Sequence, residues 1–356
     1  LTTPPYTTSV LIPNTPADLG GDMPIVATAT DVAGNEGSAE LVVQHRGVDL
    51  VAIGKTFIDV DDTSHDGASV VVENGTVVIV GAHTFNRFTV GDGGFLEPPA
   101  MEATGDDLGV LDITANAFEL LEGGTVNAAG AGYMGACFGG AGCPSSSSGR
   151  TVGNVSGASS ASSAGSGGSG RGTSPNDTYG DLTAPLFPGS GGGAASGEGG
   201  DGGGAIRIDA DDIRIDGTLS ADATTAVDRG HGGSGGSIFI SGETLTGTGV
   251  LRALGGAADS ESTQPAHGGG GGRIAIVATD ATGFAPAEMA ATGGLGSTGG
   301  DDGGAGTIYT NLGAQGAAVI IDDGGVGDSG PNEAFGDTDG NQTDLAVTVR
   351  GTARIT

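Results

Sequence analysis

The chain has 356 residues, of which 75 are glycine and none is tryptophan, and 12 basic residues stand against 43 acidic ones for a net charge of −31. That length holds two domains and a sizeable core, the short β-branched runs exclude a wholly disordered chain, and the charge excludes a surface made for nucleic-acid phosphates or an anionic membrane. The same charge attracts divalent cations and keeps a protein soluble in salt, as a marine, halophilic or calcium-rich extracellular setting requires, and it equally solvates a sticky β-protein.

Residues 1–46 read as strands broken by turns. Val10-Leu11-Ile12 precedes Pro13 and Asn14, Ile25 to Thr30 alternates, an acidic turn follows, and Ala39 to Gln44 forms a second strand. The linking stretch Ala29-Thr30-Asp31-Val32-Ala33-Gly34-Asn35 resembles the closing hairpin of a bacterial immunoglobulin-like repeat, over residues 20–46 only. Such a domain needs about seven strands, so the resemblance implies the end of one, or a small cap. The chain starts at Leu1 rather than Met and reads as processed, excised or a fragment. No stretch approaches the ~18 apolar residues of a membrane span.

Residues 47–133 carry dense apolar runs at 48–53, 56–60, 69–72, 76–80, 88–90, 110–113 and 118–121, with turn signals at Asn74-Gly75, 91–94 and 122–124. Near-continuous short Val/Ile runs suit strands buried in a stacked sheet. A helical period shows only over Ala115 to Leu121. Residues 134–200 are low in complexity, nearly all Ser, Gly and Ala at 145–148, 156–169 and 189–200. Ordinary loops in a flexible excursion are the preferred reading; the alternative is extended glycine runs packed as polyglycine helices with the three-fold geometry of polyproline II.

Residues 201–325 repeat. Gly202-Gly203-Gly204-Ala205-Ile206-Arg207-Ile208-Asp209 returns as Gly235-Gly236-Ser237-Ile238-Phe239-Ile240, as Gly271-Gly272-Arg273-Ile274-Ala275-Ile276, and more weakly as Gly304-Ala305-Gly306-Thr307-Ile308-Tyr309. The leading isoleucines, Ile206, Ile238, Ile274 and Ile308, are 32, 36 and 34 residues apart. A period of this size marks a solenoid or an array, whose units bury their apolar faces only by stacking. Each copy reads as three short strands, at Ile206–Asp209, Ile213–Asp216 and Thr218–Ala221, with a turn at Ala210-Asp211-Asp212. The expected fold is therefore all-β: a parallel β-helix over 47–325 with glycine-rich loops, after an immunoglobulin-like segment at 1–46. A β-propeller would show aromatic signatures, and aromatics are 4% of this chain. Residues 326–356 form an acidic loop and a strand near Leu345–Val349 that caps the stack or pairs with the N-terminal strands.

The pattern Gly-Gly-Gly-x-Ile-x-Ile-x-Ala followed by Gly-Thr-Leu-Ser-Ala resembles the glycine-rich β-helical repeats of large bacterial and archaeal surface proteins and adhesins. It covers 200–312 well and 47–133 loosely. The calcium-binding glycine-aspartate nonapeptide is not matched, since Gly202–Ala210 lacks its Asp at the sixth position, where Arg207 stands.

Chemistry is sparse. Asp337, Asp339, Asn341 and Asp344 place oxygens at nearly alternate positions around Gly340 and form a calcium candidate, although Thr348 stands where an EF-hand has its bidentate Glu. Asp59, Asp61, Asp62 and Asp66 are a weaker one. His231 and His267 each lie seven residues before a leading isoleucine, so in register they stack one rung, about 4.8 Å, apart. With Glu198, Asp201 and Asp301 nearby in the repeat they could hold a transition metal; hydrogen bonding within glycine loops is preferred. Asp209, Asp211, Asp212, Asp216, Arg207 and Arg214 have the side chains of a polysaccharide-cleaving site, yet Ile-Arg-Ile-Asp is also what a solvent-facing strand with cross-rung pairs looks like, so no catalytic residue is assigned. Cys137 and Cys143 bracket a glycine-rich ring suited to a disulfide in a secreted protein. Glycosylation sequons begin at Asn74, Asn154, Asn176 and Asn341.

These readings converge on an extracellular, cell-surface structural or adhesive protein that joins copies of itself or other surface proteins by strand addition through Thr7–Ile12 and Leu345–Val349. Calcium is the one cofactor expected, glycans are a secondary partner, and neither nucleic acid nor a membrane span is. The second class is a carbohydrate-binding or polysaccharide-cleaving β-helix.

Overall fold

The computed structural model describes residues 22–30, 36–44, 50–52, 54–99, 109–137, 148–156, 178–194, 197–259, 265–324 and 346–350. The chain divides into two compact units, Leu1–Asp49 and Leu50–Thr356. In the first, β1 (Asp22–Thr30) and β2 (Glu36–Gln44) pair antiparallel from Asp22↔Gln44 to Thr30↔Glu36. This is the expected hairpin, slightly longer than its alternating cores. The remaining N-terminal positions, Thr7–Ile12 among them, lie outside the described residues.

Among the described residues, the regular elements of the second unit are strands and short 3₁₀ turns. Its strands run β3 (Leu50–Ala52), β4 (Lys55–Ile58), β5 (Ser69–Val72), β6 (Thr76–Ile79), β7 (Gly81–Val90), β8 (Phe95–Glu97), β9 (Val110–Leu120) and β10 (Thr125–Asn127). After the small hairpin β11 (Arg150–Thr151) and β12 (Val155–Ser156) come β13 (Ala205–Ile215), β14 (Thr218–Ser220), β15 (Ser237–Gly247), β16 (Val250–Arg252), β17 (Arg273–Phe284), β18 (Glu288–Ala290), β19 (Thr307–Leu312), β20 (Ala317–Asp322) and β21 (Ala346–Arg350). Outside the small hairpin, strands from β3 to β19 alternate between two sheets, β20 and β21 then join the sheet of β19, and both sheets fill in chain order. A seven-stranded sheet holds β4, β6, β8, β10, β14, β16 and β18, all parallel. A ten-stranded sheet holds β3, β5, β7, β9, β13, β15, β17, β19, β20 and β21, parallel except where β20 turns back against β19.

Register follows the isoleucines. Leu111, Ile206, Ile238, Ile274 and Ile308 are consecutive partners, and Ile113, Ile208, Ile240 and Ile276 form the next column. Across from them Val77, Leu96, Val126, Leu219 and Leu251 line the seven-stranded sheet. All of these are buried and share one core. Each such side chain contributes about 1.5–3 kcal/mol by leaving water. Strands β3 to β10 belong to the same stack, as the Val/Ile runs of this region indicated.

Three expectations change or narrow. First, Ala210-Asp211-Asp212 is not a turn: β13 runs through it, because Ala210 and Asp212 are paired on both sides, to Ala115 and Ala117 and to Gly242 and Thr244. The inward series Ile206, Ile208, Ala210 instead shifts phase to Ile213 and Ile215, leaving both aspartates exposed. There are thus two strands per repeat rather than three. The same ladder makes Ala115 to Leu120 strand rather than helix. Second, of the two placements read for the C-terminal strand, the described residues show it at the end of the stack: β21 pairs parallel with β20, and all five of its residues are exposed.

Third, the glycine runs are ordered. Gly200 and Gly203 donate to the carbonyls of His231 and Ser234, Gly232 and Gly235 to those of His267 and Gly270, and Gly268 and Gly271 to those of Asp301 and Gly304, all at 2.9–3.0 Å. The run 199–204 also bonds the opposite way, with Gly199 and Gly202 donating to Ala136 and Tyr133. A further neighbour, the run 189–192, donates to it from Gly189 and Gly192, to Gly203 and Gly200. A step of three residues, with partners in several directions, is the geometry of a polyglycine bundle rather than a sheet or a set of loops. It forms because a Cβ would collide: at Gly236 it would land on the Gly204 carbonyl, and at Gly303 on that of Gly269. Much of 189–204, read as part of a flexible excursion, belongs to this bundle.

Candidate functional site

His231 and His267 stack as the repeat spacing predicted, ring centroids 5.3 Å apart and 9° from parallel. Their Nδ1 atoms are engaged. The His267 main-chain N–H donates to His231 Nδ1 at 3.0 Å, and the Asp301 N–H donates to His267 Nδ1 at 3.0 Å, with the Asp301 carboxylate 3.4 Å from the same nitrogen. Each ring therefore ties its own rung to the next, as the preferred reading had it. Among the described residues no group of three or more His, Cys, Asp or Glu side chains is gathered to hold a metal ion. Replacing His231 by Phe keeps the ring and removes the acceptor, which strands the His267 N–H. The expected cost is about 1–2 kcal/mol, read as a lower urea midpoint with unchanged slope.

Asp201 sits within the same bundle. Its carboxylate accepts from the Gly135 N–H at 2.7 Å, and its own N–H donates to Thr224 Oγ1 at 2.7 Å. Burial pushes this carboxyl above the usual aspartate range; the Gly135 bond opposes that and the nearby Glu198 charge adds to it. A carboxyl raised on folding destabilises the native state wherever it is ionised, and the penalty fades as pH falls. Asp201→Asn, which still accepts from Gly135, should melt higher than the parent at pH 7. The difference should shrink as pH falls toward about 3.9 and vanish below it.

The acid/base candidates are paired. Arg207 Nη1 reaches both carboxylate oxygens of its register partner Asp112 at 3.1 Å, and Nη2 lies 3.4 Å from Asp209. Arg214 Nε meets Asp216 at 2.6 Å, which with bonds from Thr248 holds that carboxyl below its ordinary range despite partial burial. Asp211 and Asp212 are exposed at the phase shift. Asp62 caps the turn Thr63–His65 by accepting from Ser64, beside exposed Asp59 and Asp61. Asn86 and Asn116 form an amide ladder, Asn116 Nδ2 donating to Asn86 Oδ1 and Asn86 Nδ2 to Ser69 Oγ, both at 3.1 Å.

Asn74 is exposed between β5 and β6 in a left-handed conformation, φ 51°. Asn154 closes the turn Val152–Asn154. Cys137 is buried where the run 131–137 ends. Its expected partner Cys143, the sequon residues Asn176 and Asn341, and the calcium candidates Asp337, Asp339, Asn341 and Asp344 lie outside the described residues. Among the described residues no helix is long and apolar enough to cross a membrane.

One polar centre went unread in the sequence. Arg273 is 2% exposed, with Nε bonded to the Tyr179 carbonyl at 3.3 Å and Nη1 to Thr307 Oγ1 at 3.1 Å. Tyr179 donates to the Pro188 carbonyl at 2.7 Å and lies 3.0 Å from Ser190 Oγ, and burial drives its phenol well above the usual tyrosine range. The signal was in the repeat: the register column Ala205, Ser237, Arg273, Thr307 holds small residues in every copy but one.

Comparison with protein-family models, with curated proteins and with solved structures returned no match to this chain.

Proposed function

We propose that this chain is a parallel β-solenoid module of a secreted cell-surface protein, of the glycine-rich β-helical kind it resembles, with a structural or adhesive role. The observation that supports this reading best is the filling of both sheets in chain order around one core, with a hydrogen-bonded glycine bundle beside them. Such stacking spreads rigidity evenly and lets units be added without redesign. Catalysis instead needs acid and base groups converging on one reacting atom, whereas Arg207 and Arg214 are engaged by Asp112 and Asp216. In this reading the charge of −31 keeps the surface soluble in salt, a Cys137–Cys143 disulfide closes a loop, the segment 337–344 takes calcium, and exposed Asn74 carries glycan where the host supplies it.

Cryo-electron microscopy of the purified full chain, with and without a calcium chelator, tests the proposal. Regular filaments or sheets are expected, and their loss on chelation would tie the acidic segment to joining. Dispersed particles that bind or cleave polysaccharides on a glycan screen would overturn the structural role in favour of a carbohydrate-directed one.

A further inference from the structure

The outer face of the ten-stranded sheet changes character along the stack. On β13 the outward residues Arg207 and Asp209 are partly exposed, whereas β17 is buried on both faces from Arg273 to Ile276. What covers it is the segment 178–188, inserted before β13 in the chain yet seated on strands that follow much later. Ser237 Oγ donates to the Phe187 carbonyl at 2.6 Å, Arg273 holds the Tyr179 carbonyl, and Leu182, 2% exposed, packs with Ala275, Ala305, Tyr309, Val319 and Ile321 in a second apolar cluster separate from the main core. The segment is braced internally. Asp181 accepts from the Thr183 N–H, the Thr183 hydroxyl and the Ala184 N–H at 2.7–3.0 Å, and the Tyr179 and Phe187 rings meet edge to face at 6.1 Å.

The consequence falls on β20. Its two fully buried side chains, Val319 and Ile321, both belong to this outer cluster, while Ile320, facing the main core, is only partly buried. β20 is also the strand that reverses direction, and the wholly exposed β21 is paired to nothing else among the described residues. Beyond its ladder to β19, β20 is thus anchored from outside by the segment 178–188, which lies over it as a strap.

We propose that residues 178–188 are a latch: closed, it fastens β20 and β21 to the stack, and opened, it releases them as a pair while the earlier strands stay folded. The two ends of this contact are more than a hundred residues apart, so the latch couples the glycine-rich insertion to the C-terminal edge of the sheet. In the surface-protein reading, that edge is where a neighbouring strand would add.

Hydrogen exchange by mass spectrometry on the full chain tests this with Leu182→Asp, which places a carboxylate in the outer cluster, and with Leu182→Met as the conservative partner. In Leu182→Asp, peptides covering 317–322 and 346–350 should exchange about tenfold faster or more, while peptides covering 110–120 and 205–215 keep parental protection. Leu182→Met should leave all four unchanged. Arg273→Met, which removes the bond to Tyr179 without adding charge, should repeat the local pattern more weakly. Unchanged terminal peptides in Leu182→Asp, or equal acceleration of all four, would overturn the latch. Neither result bears on whether the protein forms filaments, so this proposal and the structural role stand or fall separately.

Discussion

Gly236→Val is expected to leave the chain unable to fold, or to lower its stability by about 4 kcal/mol or more, the range reserved for changes the structure cannot absorb. A Cβ at Gly236 would land on the Gly204 carbonyl oxygen, with the Gly203 carbonyl beside it. Neither can retreat: the Gly204 oxygen accepts from Ser237 N–H at 3.1 Å, and the Gly203 oxygen from Gly189 N–H at 2.7 Å. Moving either one breaks the bundle on two sides. Gly153→Ala is the control. Gly153 is left-handed, φ 75° and ψ 15°, and its Cβ would meet nothing within 4 Å. That change should cost about 1–2 kcal/mol, the conformational penalty alone. Urea unfolding of both variants checks the contrast, and similar costs at the two positions would show the bundle to be looser than described.

Phe118→Ala should cost about 3–5 kcal/mol. Phe118 is fully buried, stacked 6.2 Å from Phe88, whose ring in turn meets Phe85 edge to face at 4.9 Å. Its strand is hydrogen-bonded to β7 on one side and β13 on the other, so the backbone cannot close the cavity. The adjacent residue gives the comparison. Glu119 faces outward, pairs with Arg87 at 2.9 Å and accepts from the Thr89 hydroxyl at 3.1 Å, and Glu119→Ala should cost less, about 1–2 kcal/mol. Thermal unfolding of the pair distinguishes inward from outward at successive positions of one strand.

The isoleucine register was legible because two signals agreed: β-branched residues alternating with polar ones, and a glycine run before each at a constant offset. The same offset placed His231 one rung below His267. What those rings do was not legible, since their partners are main-chain amides one rung on, which leave no mark in side-chain patterns. Glycine runs hide their order for a similar reason. They carry no side chain to show periodicity, and what orders them is contact between segments such as 199–204 and 231–236. The Asp211-Asp212 pair looked like a turn on local propensity, but pairing to β9 and β15 keeps it extended and shifts the inward phase. The strap was hidden by its low-complexity surroundings. Its imprint, Ile274-Ala275-Ile276-Val277 without the outward charges of Ile206-Arg207-Ile208-Asp209, was available by comparing copies.

The claim on which the rest depends is that the glycine runs are a structural wall and not loops. Hydrogen exchange resolved to single amides tests it. Gly200, Gly203, Gly232, Gly235, Gly268 and Gly271 donate to neighbouring runs at 2.9–3.0 Å and should be protected on the timescale of the amides of Ile208, Ile240 and Ile276 in the central strands. Exchange of those glycines at the rate of an unstructured chain, with the isoleucines still protected, would contradict it and return the runs to loops.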